Sequence, residues 1–149
     1  MSEDNYLMLP EGQVWEIDSE YDPTLFFRGL RLFEGNLTIY IECSSLSDDI
    51  GKILQHYATS KTCPIKQGTI WPKSKKFHLA LSEELIIKLI DISENYPVPD
   101  FADHIVLYGN SLILEAYDFA RGPIHINSEL SEELVKEFSS LLDTNYKSI

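Results

Sequence analysis

Cysteine is scarce in this chain, with only Cys43 and Cys63 among 149 residues. They form neither a CxxC pair nor a metal-ligand spacing, so nothing implies a disulfide framework or a cysteine-based metal site. Cys43 ends an alternating apolar run and reads as a buried free thiol; Cys63 precedes Pro64 in a polar stretch and reads as exposed. Long apolar runs are also missing: no segment approaches the ~20 residues that cross a bilayer. The first residues, Met1-Ser2-Glu3-Asp4-Asn5, are acidic where a secretory signal is basic and then apolar, which predicts a cytoplasmic address.

Positive charge is missing where it would matter for nucleic acid. There are 12 bases against 24 acids, a net charge of -12. Nonspecific nucleic-acid binding needs Lys and Arg to neutralise phosphates, so that partner class is set aside. The imbalance is uneven. No base precedes Arg28, whereas Glu3, Asp4, Glu11, Glu16, Asp18, Glu20 and Asp22 all do. Lys61, Lys66, Lys73, Lys75 and Lys76 crowd one short stretch, and 59–76 reads as a long, mobile basic loop.

What is present is an ordinary globular composition, 44% hydrophobic and 24% charged, in one domain spanning 1–149. Such a length buries roughly 68–70% of its unfolded surface without metal or disulfide staples. A helix-start signal occurs three times, at Leu46-Ser47-Asp48-Asp49-Ile50, Leu81-Ser82-Glu83-Glu84-Leu85 and Leu130-Ser131-Glu132-Glu133-Leu134. In each, a serine is placed to cap orphan N–H groups and two acids face the positive end of the helix dipole. The middle helix is apolar over the widest arc and is expected to be the most buried. A further short helix starts at Asp22-Pro23 and ends by Gly35.

Alternating patterns predict strands at Val14–Ile17, Leu37–Cys43, Phe77–Leu81 and Ile124–Ile126, and a hairpin pairing His104–Tyr108 with Leu112–Asp118 around Gly109-Asn110-Ser111. The fold class is therefore α+β, an antiparallel or mixed sheet of about six strands with three to four helices packed on it.

No motif supplies chemistry. There is no HExxH, no GxSxG, no GxGxxG and no Walker loop. No cofactor, metal ligand set or catalytic residue is assigned, and a binding protein is favoured over an enzyme. One pocket is conceivable beside the hairpin, where a sheet can gather His78, His104, His125, Glu115 and Asp118, with Arg121 orienting an anion. Glu115 and Asp118 are three apart, so an ideal strand turns them to opposite faces. The plainer reading is a turn in which Asp118 bonds backbone groups and pairs with Arg121.

The lysines of the basic loop interleave with Ile70 and Trp71, a pattern for binding a backbone or an acidic partner, or for closing on the protein's own acidic surface. The acids Glu16, Asp18, Glu20, Asp22, Asp48 and Asp49 crowd a strand end and two helix starts. They form either a solvated face or a surface complementary to a basic protein.

In size, acidity, lack of catalytic motifs and the tail running from the His104–Tyr108 and Leu112–Asp118 hairpin to Ser131–Leu142, the chain resembles immunity proteins of bacterial polymorphic-toxin and contact-dependent growth-inhibition systems. The resemblance implies an inhibitor that binds a cognate toxin one to one, here a basic, nuclease-like domain, commonly by covering its active site. It carries over no individual binding residue.

Overall fold

The computed structural model describes residues 6–68 and 74–149. The chain runs through β1 (Val14–Ile17), α1 (Pro23–Gly29), β2 (Thr38–Cys43), α2 (Asp48–His56), β3 (Lys75–Ala80), α3 (Glu83–Asn95), β4 (His104–Tyr108), β5 (Leu112–Tyr117), β6 (Ile124–Asn127), α4 (Glu132–Leu141) and β7 (Tyr146–Ser148). Short 3₁₀ turns follow α1 and α3, at Leu30–Leu32 and Val98–Asp100. The strands form one sheet in the order β3-β2-β4-β5-β6-β1-β7, and every pairing is antiparallel.

The fold class is as expected, with one strand more than six. The addition is β7, three residues long and too short to show a period in the sequence. Long-range contacts create it: Val14 and Ile149 exchange backbone hydrogen bonds of 3.1 and 2.9 Å. Tyr146 also sets its ring edge-on to Trp15, with centroids 6.0 Å apart.

Three helices start on side-chain caps. The Asp22 carboxylate accepts from the Thr24 N–H at 2.7 Å ahead of Pro23. Ser82 and Ser131 accept from the Leu85 and Leu134 N–H groups. Ser47 departs from the expectation, since its hydroxyl makes no cap bond. Its backbone holds the entry of α2 instead: its N–H donates to the Asp100 carbonyl at 3.0 Å and its carbonyl accepts from Gly51 at 2.9 Å.

All four helices cover one face of the sheet. Ile39, Ile41, Leu79, Ile105, Leu107, Leu114, Ala116, Ile124, Ile126 and Ile17 alternate onto that face and join residues of all four helices in one core. Phe26, Phe27, Phe101, Phe119 and Phe138 form its aromatic centre, Phe26 and Phe119 lying 5.0 Å apart edge to face. Gly29 lets α1 approach α4, because a Cβ there would lie 2.5 Å from the Phe138 ring. The middle helix α3 buries Leu85, Ile86, Leu89 and Ile92, yet Ile87 is 54% exposed. Its apolar arc is wider than the surface it covers, so it is not sealed on all sides.

The opposite face also needs cover. A bulge between Leu107 and Tyr108 turns Leu112 onto it beside Tyr40, Val106 and Tyr108. Leu7, Leu9, Cys63 and Ile65 pack over this patch. The described part of the expected basic loop is therefore an anchored strap, with Ile65 buried and Cys63 half-buried, because exposed apolar strand residues recruit it. Lys75 and Lys76, assigned to the loop from sequence, open β3. Ile70, Trp71, Pro72 and Lys73 lie outside the described residues.

Candidate functional site

Antiparallel pairing collects the ends of β1, β2 and β5 and the starts of β3, β4, β6 and β7 at one end of the sheet. The connecting segments there are joined by backbone bonds into a continuous ledge. Ser47 N–H donates to Asp100 O (3.0 Å), Asp103 N–H to Glu42 O (2.7 Å) and Phe119 N–H to Asp103 O (2.8 Å). Ala120 and Tyr21 are tied twice, through Tyr21 N–H to Ala120 O and Ala120 N–H to the Tyr21 hydroxyl. Asp18 N–H reaches Asn145 O at 3.0 Å. Burial raises the Tyr21 hydroxyl pKa, so it stays neutral as a structural strut.

The ledge holds an unusual backbone. Glu20, Asp118, Ala120 and Asp143 are the non-glycine residues with left-handed φ among the described residues, at 64°, 56°, 71° and 54°. All four lie in these connections. A left-handed alanine costs ~1–2 kcal/mol, and here the paired bonds to Tyr21 hold Ala120 in it. Asp118 is locked by its own carbonyl, which accepts from both Arg121 and Gly122 N–H groups at 2.9 and 2.8 Å.

A cleft of about 600 Å³ opens in the middle of the ledge. Val98, Pro99, Ala102 and Phe119 give it apolar walls; Asp103, His104, Asp118 and Arg121 give it charge and polarity. One Asp103 oxygen accepts from Ser44 N–H at 2.8 Å, and His104 Nδ1 accepts from Asp118 N–H at 2.9 Å. Asp118 does sit in a turn, but the turn's bonds are made by its main-chain carbonyl and not by its carboxylate, and Asp118 and Arg121 form no ion pair.

The six expected partner-binding acids divide. Asp18 and Glu20 follow β1 on one side of the cleft; Asp48 and Asp49 follow β2 on the other; all four are exposed. The two strands are four steps apart in the sheet, about 19 Å at the usual strand spacing. No described residue engages any of those four carboxylates by hydrogen bond or ion pair. Asp22 is occupied as the cap of α1. Glu16 lies on the outer face, where Oε2 meets His125 Nε2 at 2.9 Å and Oε1 meets Lys147 Nζ at 3.4 Å. The His125 bond, aided by Lys147, holds its carboxyl below the usual carboxylate value against the opposing effect of burial.

The five residues of the alternative pocket also divide. His104 and Asp118 line the cleft. Glu115 and His125 are direct cross-strand neighbours, followed in the same transverse row by Glu16 and Lys147. Burial pushes the Glu115 carboxyl above its ordinary value, with His125 and Lys66 opposing. His78 stands three strands from Glu115 under the strap, its Nδ1 2.9 Å from the Tyr108 hydroxyl, and burial lowers its pKa.

Asp103 and the Val98–Pro99 wall were not singled out in the sequence. The available signal was local: Asp103 directly precedes the His104 strand. Among the described residues no group of three or more His, Cys, Asp or Glu side chains has metal-binding geometry. No helix there is long and apolar enough to cross a membrane. Comparison with family models, curated proteins and solved structures finds no match for this chain.

Proposed function

We propose that this protein is an acidic binding protein that inhibits a basic, nuclease-like partner by docking it one to one on the strand-end ledge, as an immunity protein does its toxin. The observation that carries this reading is the ledge itself, with acids on both flanks, left-handed Ala120 fixed by paired bonds to the neighbouring connection and left-handed Asp118 by its own turn. Backbone strain of this kind clusters at functional sites. A surface already held in place loses little entropy on binding. A nuclease must present Lys and Arg to phosphates, and two pairs of exposed carboxylates, unengaged by any described residue and carried on a hydrogen-bonded backbone, complement such a surface. Elsewhere several acids are already engaged: Glu83 by Arg31, Glu84 by the Tyr57 hydroxyl and Glu132 by that of Tyr146.

The test is a quadruple variant, Asp18→Asn, Glu20→Gln, Asp48→Asn and Asp49→Asn, offered to the partner recovered by cross-linking in cells. The proposal expects a basic partner in a one-to-one complex and at least tenfold weaker binding by the variant, in the range of several lost interface charges. An acidic partner, or a variant that binds undiminished, overturns it.

A second reading, a small enzyme or ligand-binding domain, is favoured by the Glu115–His125–Glu16 row, where a carboxyl raised by burial adjoins a histidine. It requires His125→Ala to abolish a measurable turnover or ligand affinity while leaving the fold intact. Unchanged turnover and ligand affinity in that variant dispose of it.

A further inference from the structure

We propose that the cleft at the centre of the ledge is an anchor socket for one arginine side chain presented by the partner protein. This inference rests on the docking reading above and names the contact within it. The cleft's volume of about 600 Å³ lies within the roughly 300–1,000 Å³ usual for ligand pockets, large enough for a side chain with its flanking backbone. Its lining has two parts. Val98, Pro99 and Ala102 offer an apolar wall for an aliphatic stem. Asp103 and Asp118 supply carboxylates, and that of Asp118 receives no hydrogen bond or ion pair from any described residue.

Arginine fits this lining better than lysine. Its guanidinium is planar, weakly hydrated and able to bridge two carboxylates, whereas an ammonium is a compact, strongly hydrated charge. The socket is also held in shape. The Asp103 carboxylate is fixed by Ser44 N–H, the Asp118 backbone by the bonds to its carbonyl and by His104, and Phe119 by its N–H, which donates to the Asp103 carbonyl. The positioned Asp103 carboxylate favours a directional ligand over a diffuse counterion atmosphere. Arg121 lies on the same lining and opposes a cation, which gives the proposal a signed prediction.

The experiment is an amide NMR titration of the full chain with N-acetyl-arginine methylamide, with the neutral citrulline analogue as control. The expected result is saturable shifts at Asp103, Asp118, Phe119, Arg121 and Gly122, with none from citrulline. Asp118→Asn should weaken binding about fivefold, the scale of one partly exposed ion pair. Asparagine tolerates left-handed φ as aspartate does, so the turn survives. Arg121→Gln should tighten binding, and Ser44→Trp should block it without changing charge. Shifts that never saturate, that follow Asp18, Asp48 and Asp49 equally, or that Arg121→Gln leaves no stronger overturn the socket. The partner separates the two proposals. If the quadruple ledge variant loses the partner while Ser44→Trp and Asp118→Asn keep it, docking stands and the socket fails. If the ledge variant keeps the partner, docking fails and the arginine titration alone decides the socket.

Discussion

Tyr108 is the residue on which the strap depends most directly. Its hydroxyl accepts from the Cys63 N–H at 3.1 Å and shares a 2.9 Å bond with His78 Nδ1, while its ring packs beneath Ile65 and Leu112. Tyr108→Phe keeps the ring and strands both polar partners, at a cost of about 1–3 kcal/mol. Thiol labelling should then speed up at Cys63, with Cys43 as the internal reference because burial pushes its thiol up to about 11. Unchanged Cys63 labelling would show that packing alone seats the strap. Glu115 carries a pH signature. Its carboxyl is raised by burial, so the stability its neutral form provides is full below the unfolded value and is lost as pH rises through the folded one. Glu115→Gln should therefore melt at a higher temperature than the native chain at pH 7, and that advantage should vanish below pH ~4. A gain that persists in acid contradicts this. At this scale the sequence was informative about Cys43, whose place in an alternating run marks it as buried. It was misleading about Cys63 and silent about the split of the histidines, because side-chain partners depend on register across strands far apart in the chain.

Helix entry is where local sequence and structure agree best, and the agreement is uneven in a testable way. Ser82 and Ser131 bond the backbone through their hydroxyls, whereas Ser47 does not. Ser82→Ala and Ser131→Ala should each cost ~1 kcal/mol in chemical denaturation, and Ser47→Ala clearly less. Equal losses at all three would mean that the hydroxyls do not carry the difference. The three start signals look alike because capping chemistry is local. They differ in outcome because the 3₁₀ turn at Val98–Asp100 offers Ser47 a backbone acceptor that no local pattern reveals. The hairpin of β4 and β5 was legible from its turn and its alternating flanks; its bulge was not, because the shift that turns Leu112 outward exists only in the pairing. Strand β7 was invisible for the same reason, since Val14 and Trp15 at the other end of the chain create it.

For the molecule as a whole, acidity becomes informative once topology sorts it. The sequence showed acids crowded before Arg28 and after Ser47; antiparallel pairing brings Asp18 and Glu20 to the same end of the sheet as Asp48 and Asp49, with the cleft between them. It also removes Glu16 to the outer face and ties Asp22 into α1. Charge counting could not make that division, because it does not distinguish a free carboxylate from one already used. The most direct test of the docking claim is the association rate with the purified partner, followed by stopped flow as salt is raised from 0.05 to 0.5 M, roughly a threefold fall in Debye length. Steering by the ledge predicts a rate that falls by about tenfold or more across that range, with the quadruple ledge variant slower at low salt and nearly flat. A native rate that is independent of salt, or a variant that follows the native curve, contradicts the account.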